Sequence, residues 1–428
     1  MALILQAATF AHQYLNSFIH SQPTKSPNAL KLGVLSSAQI NAAALIYPAE
    51  THPGVILHGI ASRSLSTAQS QARKYSFKKA YGSYEDLLSE PEIDVVYIST
   101  PNGEHYQWTV KALNSGKHVL CEKPFMSNTA EARDVVDLAR ERGVVIEEAF
   151  HWQFHPAAHK VRSLLESGQY GEILRTSALM TASPGVPEGD IRWQFDLAGG
   201  LAMDTAYALS FTRYFLRAGK PEKIHSVTMR PHDKDKRLDE AMYAYLTFKT
   251  GKELAGVEVQ SSIYTDMSRS WIAGVIPRFW ELPSIEIETS RSVIHFYNAM
   301  MPHLYHYISI LERSGGVEVV RQYSGGRAEG WSTYRWQLEA FVARVRGERV
   351  GCWVENEDSV LQIEVIDGLY RAAGMPVRGE ETGEGAVGVR IQESDINMLT
   401  GLGVLKCKDL LRRSGESLEI YSALTQLS

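Results

Sequence analysis

The chain has 428 residues, enough for two domains around a shared cleft. A hydrophobic share of 44%, a charged share of 22% and a formal charge of −5 with scattered basic residues suit a globular protein and give no reason to expect nucleic acid or an anionic membrane as partner. The three cysteines, Cys121, Cys352 and Cys407, form no CxxC pair, which argues against a disulfide framework or a Cys-based zinc site and points to reduced thiols in the cytoplasm.

No apolar run approaches the roughly 18 residues needed to span a bilayer. The opening MALILQAATFAHQYLNSFIH has no basic stretch, and His12, Gln13 and Asn16 interrupt its apolar run. It reads as an amphipathic helix docked on the body, with a targeting segment as the alternative. A loose SQPTKSPN linker ends this extension, residues 1–28.

Over residues 29–150, short apolar runs alternate with helical stretches. LKLGVL, VILHGIAS, IDVVYIST, HVLCEK and VVIEEAF are strand candidates; AQINAAALI, SLSTAQSQARKYS, EHYQWTVKALNSG and TAEARDVVDLARERG are helix candidates between them. Continuous apolar strands separated by helices of about 10–15 residues mean a parallel sheet covered on both faces. Right-handed crossovers then predict a doubly wound Rossmann domain.

Residues 151–378 read differently. KIHSVTMR, AMYAYLTFK, ELAGVEVQSS, SIEIETS and VEVVRQYS are strands without long helices between them, and Thr250-Gly251-Lys252 looks like a tight hairpin turn. This predicts an α+β domain on an open, mainly antiparallel sheet. Two late helices, YRWQLEAFVARVRG and EDSVLQIEVIDGLYRAAG, are expected to fold back toward the first domain. Arg378 to Gly388 is rich in Gly and Glu and reads as a flexible linker opening a C-terminal extension, residues 379–428.

The first strand-to-helix turn contains Ser36, Ser37, Ala38, Gln39 and Ile40. Small residues here let backbone N–H groups approach a pyrophosphate, and Ser36 and Ser37 add hydroxyl donors. The usual GxGxxG is absent; its glycine places are Ser36, Ala38 and Asn41. The second strand ends at Ser62 and Arg63, a hydroxyl and a guanidinium suited to a 2′-phosphate, so NADP is expected before NAD. A solvated Arg63 with Ser64 as helix cap is the plainer reading of the same residues. Thr100-Pro101-Asn102 and Glu122-Lys123-Pro124 follow strands at the edge where ligands of open α/β sheets bind. Further on, Asp204 and Tyr207 are three apart, and on a helical path would present a carboxylate and a phenol on one face. His151, His155 and His159 have metal-like spacing, but Pro156 breaks the helix that would align them, and no metal is expected. Trp152 and His155 are expected to line a substrate pocket.

STPNGEHYQWTVKALNSGKHVLCEKP, EEAFHWQFHP and GGLAMDTAYALSFTRYF together resemble the glucose–fructose oxidoreductase/inositol dehydrogenase/MocA family. The closer likeness is to its branch of NADP-linked D-xylose dehydrogenases and dimeric trans-dihydrodiol dehydrogenases. The resemblance spans about residues 30–376. It implies a nicotinamide cofactor contacted also by His105 and Glu122, and a homodimer formed through the second sheet. It also implies Lys123 beside nicotinamide and substrate hydroxyl, Tyr207 as second acid/base and Asp204 orienting substrate. The sequence departs from the family in its eroded glycine fingerprint, the shortened Asp204-to-Tyr207 spacing and Gln153 in place of a common Arg. The Lys123 charge is expected to lower the Tyr207 phenol toward the working range. Two alternatives use the same cleft: a redox-neutral isomerase or cyclase of specialised metabolism, and a non-catalytic nucleotide-binding protein.

Overall fold

A run of β-branched residues buried on both faces belongs in the middle of a covered sheet. Val95–Ile98 (β4), buried at every position, is such a run. It is the fourth strand of a six-stranded sheet with β1 (Leu30–Leu35), β2 (Val55–Ala61), β3 (Lys79–Tyr81), β5 (His118–Cys121) and β6 (Ile146–Glu148). The order is β3-β2-β1-β4-β5-β6 and every pair is parallel. The order reverses between β1 and β4, and their carboxyl ends frame the crevice in which a doubly wound sheet takes its ligand.

The computed structural model describes residues 23–380 apart from 183–184, 205, 270, 272–277, 279–280, 324–327 and 329. The expected opening helix, the linker beyond Glu380 and the tail MLTGLGVLKCKDLLRRS lie outside the described residues.

Helices Leu65–Tyr75, His105–Asn114 and Thr129–Arg142 cover the sheet as their patterns predict. Ser64 and Asn128 cap the first and third through bonds accepted from Thr67 N and Glu131 N. The stretch AQINAAALI differs from expectation: Ala42–Ile46 is a π-helical turn that runs into a short helix, Tyr47–Glu50. Lys25, expected in a loose linker, holds the end of that helix, its Nζ donating to Ala49 O at 2.7 Å, Glu50 O at 3.0 Å and His52 O at 2.9 Å. At Gly33 an added Cβ would sit 2.8 Å from Leu87 Cδ2, so glycine permits this close packing.

The second sheet has eight strands in the order β14-β13-β12-β11-β7-β10-β9-β8. They are β7 (Ile173–Thr181), β8 (Lys223–Pro231), β9 (Asp239–Lys249), β10 (Glu258–Asp266), β11 (Ser284–Thr289), β12 (Ser292–Tyr297), β13 (Tyr307–Glu312) and β14 (Val317–Val320). Only β7 and β10 pair in parallel. The connection expected as a tight hairpin at Thr250-Gly251-Lys252 is longer. A 3-10 turn, Lys252–Leu254, follows Gly251, and Thr250 Oγ1 accepts from Val257 N at 2.9 Å to close the loop.

Both late helices return to the first domain. Tyr334, Leu338, Phe341 and Val342, on helix Thr333–Val345, share a core with Leu32, Val34, Ile60 and Val95. Helix Asn356–Ala372 is joined to helix Thr129–Arg142 where Asp367 Oδ2 accepts from Thr129 N at 2.9 Å and Thr129 Oγ1 at 2.5 Å. Arg378 corrects the expected linker start. It is 3% exposed, stacks over the Tyr370 ring at 4.1 Å, and donates to the Gly199 carbonyl.

Candidate active site

The turn after β1 is shaped without glycine. Ser36 has φ +112°, a left-handed conformation that costs a β-carbon residue free energy. A buried network opposes that cost: Ser36 Oγ donates to Ser99 O at 2.9 Å, Asn41 Nδ2 donates to Ser36 O at 2.9 Å, and Ser99 Oγ donates to Asn41 Oδ1 at 2.6 Å. The expected pyrophosphate donor Ser36 is thereby corrected: its hydroxyl is turned inward and also accepts from Ala38 N at 3.1 Å. The N–H groups of Ser37, Gln39 and Ile40 donate to no protein acceptor among the described residues, and all three residues reach the surface. At the end of β2, Ser62 is buried and Arg63 exposed. At the end of β4, Thr100 is buried with its Oγ1 unpartnered among the described residues, while Asn102 Nδ2 donates to Ala198 O at 3.3 Å, tying Thr100-Pro101-Asn102 to the second domain.

The Glu122-Lys123-Pro124 turn leaves β5 beside this crevice. Tyr97 Oη donates to Glu122 Oε1 at 2.6 Å, and burial raises the Glu122 carboxyl. Phe125 N donates to Glu148 Oε1 at 2.9 Å, and burial pushes the Glu148 carboxyl up to about 8. His105 corrects its expected cofactor contact. It is fully buried, with Nδ1 2.8 Å from Pro124 O and Nε2 3.0 Å from Thr100 O. It thus spans the two loops from behind, and burial lowers its imidazole to about 4.

Lys123 Nζ reaches across the crevice, donating to Asp204 O at 2.8 Å and Asp204 Oδ1 at 3.1 Å. Arg192 Nε donates to Asp204 Oδ2 at 2.6 Å. Burial alone would raise the Asp204 carboxyl, but the Lys123 and Arg192 charges outweigh it and hold it below its usual value. The glycine pair brings Arg192 here: Gly199 N donates to Gln194 O at 3.0 Å, and Gly200, at φ +105°, donates to Arg192 O at 2.9 Å. These glycines approach protein backbone.

The expected continuous helix through Asp204 and Tyr207 is broken. Asp204 ends the helix Leu201–Asp204, Ala206 lies in a turn, and Tyr207 starts helix Tyr207–Leu216. Both side chains still meet Lys123, whose Nζ is 5.6 Å from the centroid of the Tyr207 ring. The expected lowering of the phenol is corrected. Burial, reinforced by Tyr334, Glu122, Asp204 and Glu148, raises it well above its ordinary value. Asp204 already balances Lys123, so that charge does little to favour a tyrosinate.

Trp152 and His155 are in the core, correcting the expected pocket wall. Trp152 is 0% exposed among Phe211, Tyr214 and Phe215, its Nε1 donating to Ser210 Oγ at 3.2 Å. His155 caps helix Pro156–Glu166 by accepting from Ala157 N at 3.2 Å. His159 Nε2 is 2.9 Å from Gln153 O, so the metal-spaced histidines have separate partners. His151, weighed in the sequence only as a metal ligand, lies 3.2 Å from Tyr207 Oη. Its place just beyond the carboxyl end of β6 was the available signal; Arg192, in the 3-10 turn Ile191–Trp193 just ahead of the glycine pair, had none of its own. Among the described residues one other set could hold a metal, His58, Glu90 and Glu92. There Lys79 Nζ already lies 2.7 Å from Glu90 Oε2 and 3.2 Å from Glu92 Oε2.

Comparison with known proteins gives two family matches: residues 31–150 to an oxidoreductase family with an NAD-binding Rossmann fold, and residues 158–273 to the GFO/IDH/MocA C-terminal domain. A D-xylose 1-dehydrogenase (NADP(+)) of Haloferax volcanii is 31% identical over 80% of this chain and 97% of its own length. A trans-1,2-dihydrobenzene-1,2-diol dehydrogenase of Danio rerio is 35% identical over 53% of this chain and 67% of its own. Among solved structures, a 3-ketoreductase from Actinomadura kijaniata in complex with NADP and TDP-benzene is similar at TM-score 0.68 and 25% identity, over 81% of this chain and 98% of that one.

Proposed function

The chain belongs to the glucose–fructose oxidoreductase/inositol dehydrogenase/MocA family of oxidoreductases, and on that premise we propose that it transfers hydride between NADP(H) and a carbon bearing a hydroxyl in a sugar-like or cyclic diol substrate. The observation that carries this reading is the convergence of Lys123, Asp204 and Tyr207 at the carboxyl edge of the parallel sheet. The chain's residues fit the cofactor class. Ser37, Gln39 and Ile40 offer N–H groups to a pyrophosphate, the Thr100 hydroxyl lacks a partner among the described residues, and exposed Arg63 suits a 2′-phosphate. When bound, the nicotinamide supplies the hydride acceptor or donor.

Lys123, held by Asp204, directs its remaining N–H at the substrate oxygen and stabilises charge developing there. Tyr207, a neutral phenol, hands a proton to or takes one from that oxygen. Arg192 holds the far carboxylate oxygen and fixes the Lys123–Asp204 pair. The reading includes a cytosolic homodimer formed through the open face of the eight-stranded sheet, where the Tyr297 and Tyr307 rings stack at 4.8 Å.

Purified protein mixed with NADP(+) and a panel of D-xylose, other aldoses and cyclic trans-diols tests the proposal by absorbance near about 340 nm, where reduced nicotinamide appears. Growth of that band with at least one alcohol, faster with NADP(+) than NAD(+), is expected. No band with any, together with no binding of NADPH, overturns it.

A further inference from the structure

Behind the Tyr207 hydroxyl runs a line of hydrogen bonds that hydride transfer itself does not require. Tyr207 Oη is 3.2 Å from His151 Nε2, His151 Nδ1 is 2.8 Å from Thr333 Oγ1, and Thr333 Oγ1 is 3.3 Å from His303 Nδ1. Tyr207, His151 and Thr333 are buried, and His303 is half-buried. The groups come from separate elements: the helix after Asp204, the 3-10 turn His151–Phe154, the first residue of helix Thr333–Val345, and the connection between β12 and β13.

One backbone group bears on the direction of the line. Thr333 N–H, a helix-start donor without an intrahelical partner, points at His303 Nδ1 from 3.4 Å. An N–H can only donate, so His303 Nδ1 is an acceptor. Where the Thr333 hydroxyl shares that acceptor, it accepts in turn from His151 Nδ1–H. His151 Nε2 therefore accepts, and the hydrogen it accepts is that of Tyr207. Every donor points the same way, from the crevice toward His303.

We propose that His151, Thr333 and His303 form a proton relay that carries the substrate's proton from Tyr207 toward the surface. The relay rests on the reading of Tyr207 as the proton-handling group. Oxidation of a CH–OH carbon releases one hydride, which the nicotinamide takes, and one proton, which is all that moves here. Tyr207 Oη takes the substrate proton as its own passes to His151 Nε2. The His151 Nδ1 proton passes to Thr333 Oγ1, and the Thr333 proton to His303 Nδ1. As many bonds form as break, and the extra proton leaves His303 by its other nitrogen. Reduction of a carbonyl runs the line backwards.

Two electrostatic facts agree with this geometry. The phenol, raised by burial, cannot wait as a tyrosinate, so it must release a proton as it receives one. Burial holds His151 well below its ordinary value, and burial with His306 lowers His303 to about 3, so both rings stay neutral and pass a proton only by gaining it at one nitrogen as the other gives one up.

Thr333→Val keeps the size of the side chain and cuts the line, and Thr333→Ser restores it. In an enzyme turning over D-xylose or a cyclic trans-diol, Thr333→Val is expected to lower kcat about tenfold, change the solvent deuterium isotope effect on kcat and leave KM unchanged, with Thr333→Ser recovering both. Independently of substrate, the nitrogen NMR signals of labelled His151 are expected to show the Nδ1–H tautomer in the wild type and to lose that preference in Thr333→Val. Unchanged kcat and isotope effect in Thr333→Val overturn the relay, as does the other tautomer in the wild type. If Tyr207→Phe abolishes turnover while Thr333→Val does not, only the relay falls. If Tyr207→Phe retains full turnover, the proton-handling role of Tyr207 falls and the relay with it.

Discussion

The Lys123 ammonium lies over the face of the Tyr207 ring while both of its hydrogen bonds go to Asp204. The carboxylate balances the charge, and the pair is largely withdrawn from solvent. On the proposed reading Lys123 acts as an aimed donor; the phenol beside it is raised by burial rather than acidified.

Removing that donor tests its role directly. In Lys123→Met, Asp204 keeps Arg192 as a partner, so no buried charge is left alone. The variant is expected to fold, to bind NADPH as the wild type does in a fluorescence titration, and to lose at least about a hundredfold in kcat/KM. Undiminished turnover contradicts the assignment.

Tyr207→Phe removes one oxygen and keeps a ring that packs edge-on against Phe150 at 5.7 Å and near Phe211 at 6.3 Å. Its thermal midpoint is expected to stay close to that of the wild type while kcat falls by about a hundredfold or more. Initial rates and a melting curve on the same preparation check both.

Arg63 is exposed at the end of β2, so its loss should not disturb the fold. Charge-assisted bonds contribute about 1.5–3 kcal/mol, so Arg63→Ala is expected to raise the Kd for NADPH by roughly tenfold or more. The Kd for NADH should hardly move. Equal weakening of both cofactors removes Arg63 from 2′-phosphate recognition.

Glu148 gives a prediction in pH. Burial raises its carboxyl from an ordinary 4.5 to about 8 in the folded chain. The folded state thus holds a proton that the unfolded state has lost, and stability falls with rising pH between those two values and levels off above the higher one. Glu148→Gln keeps an oxygen for Phe125 N and removes the titration. The variant's melting temperature, relative to wild type, is expected to rise by about 2 °C or more between pH 5 and pH 8. A constant difference across that range rejects the buried-proton explanation.

The parallel sheet was legible because its strands are buried on both faces, as in Val95–Ile98, leaving unbroken apolar runs. Strand Ile173–Thr181 escaped notice because Leu174, Arg175 and Ser177 face solvent and dilute the run. Lys123, Asp204 and Tyr207 could be found from local motifs, and the chain does bring them together. Trp152 misled because an aromatic beside a site motif reads alike whether it faces ligand or core. Thr333 and His303 carried no sequence signal. Their partner His151 lies far away in the chain, and only the return of helix Thr333–Val345 onto the first domain joins them.

The serine at the head of the nucleotide turn has one more effect. A glycine there would sample several shapes in the empty protein and lose that freedom on ligation. Ser36, hooked to Ser99 and Asn41, restrains the turn before any ligand arrives. A ligand then meets a ready-made cradle and sacrifices little chain entropy in docking. Without its fingerprint glycines, this chain makes up in rigidity what it lacks in backbone openness.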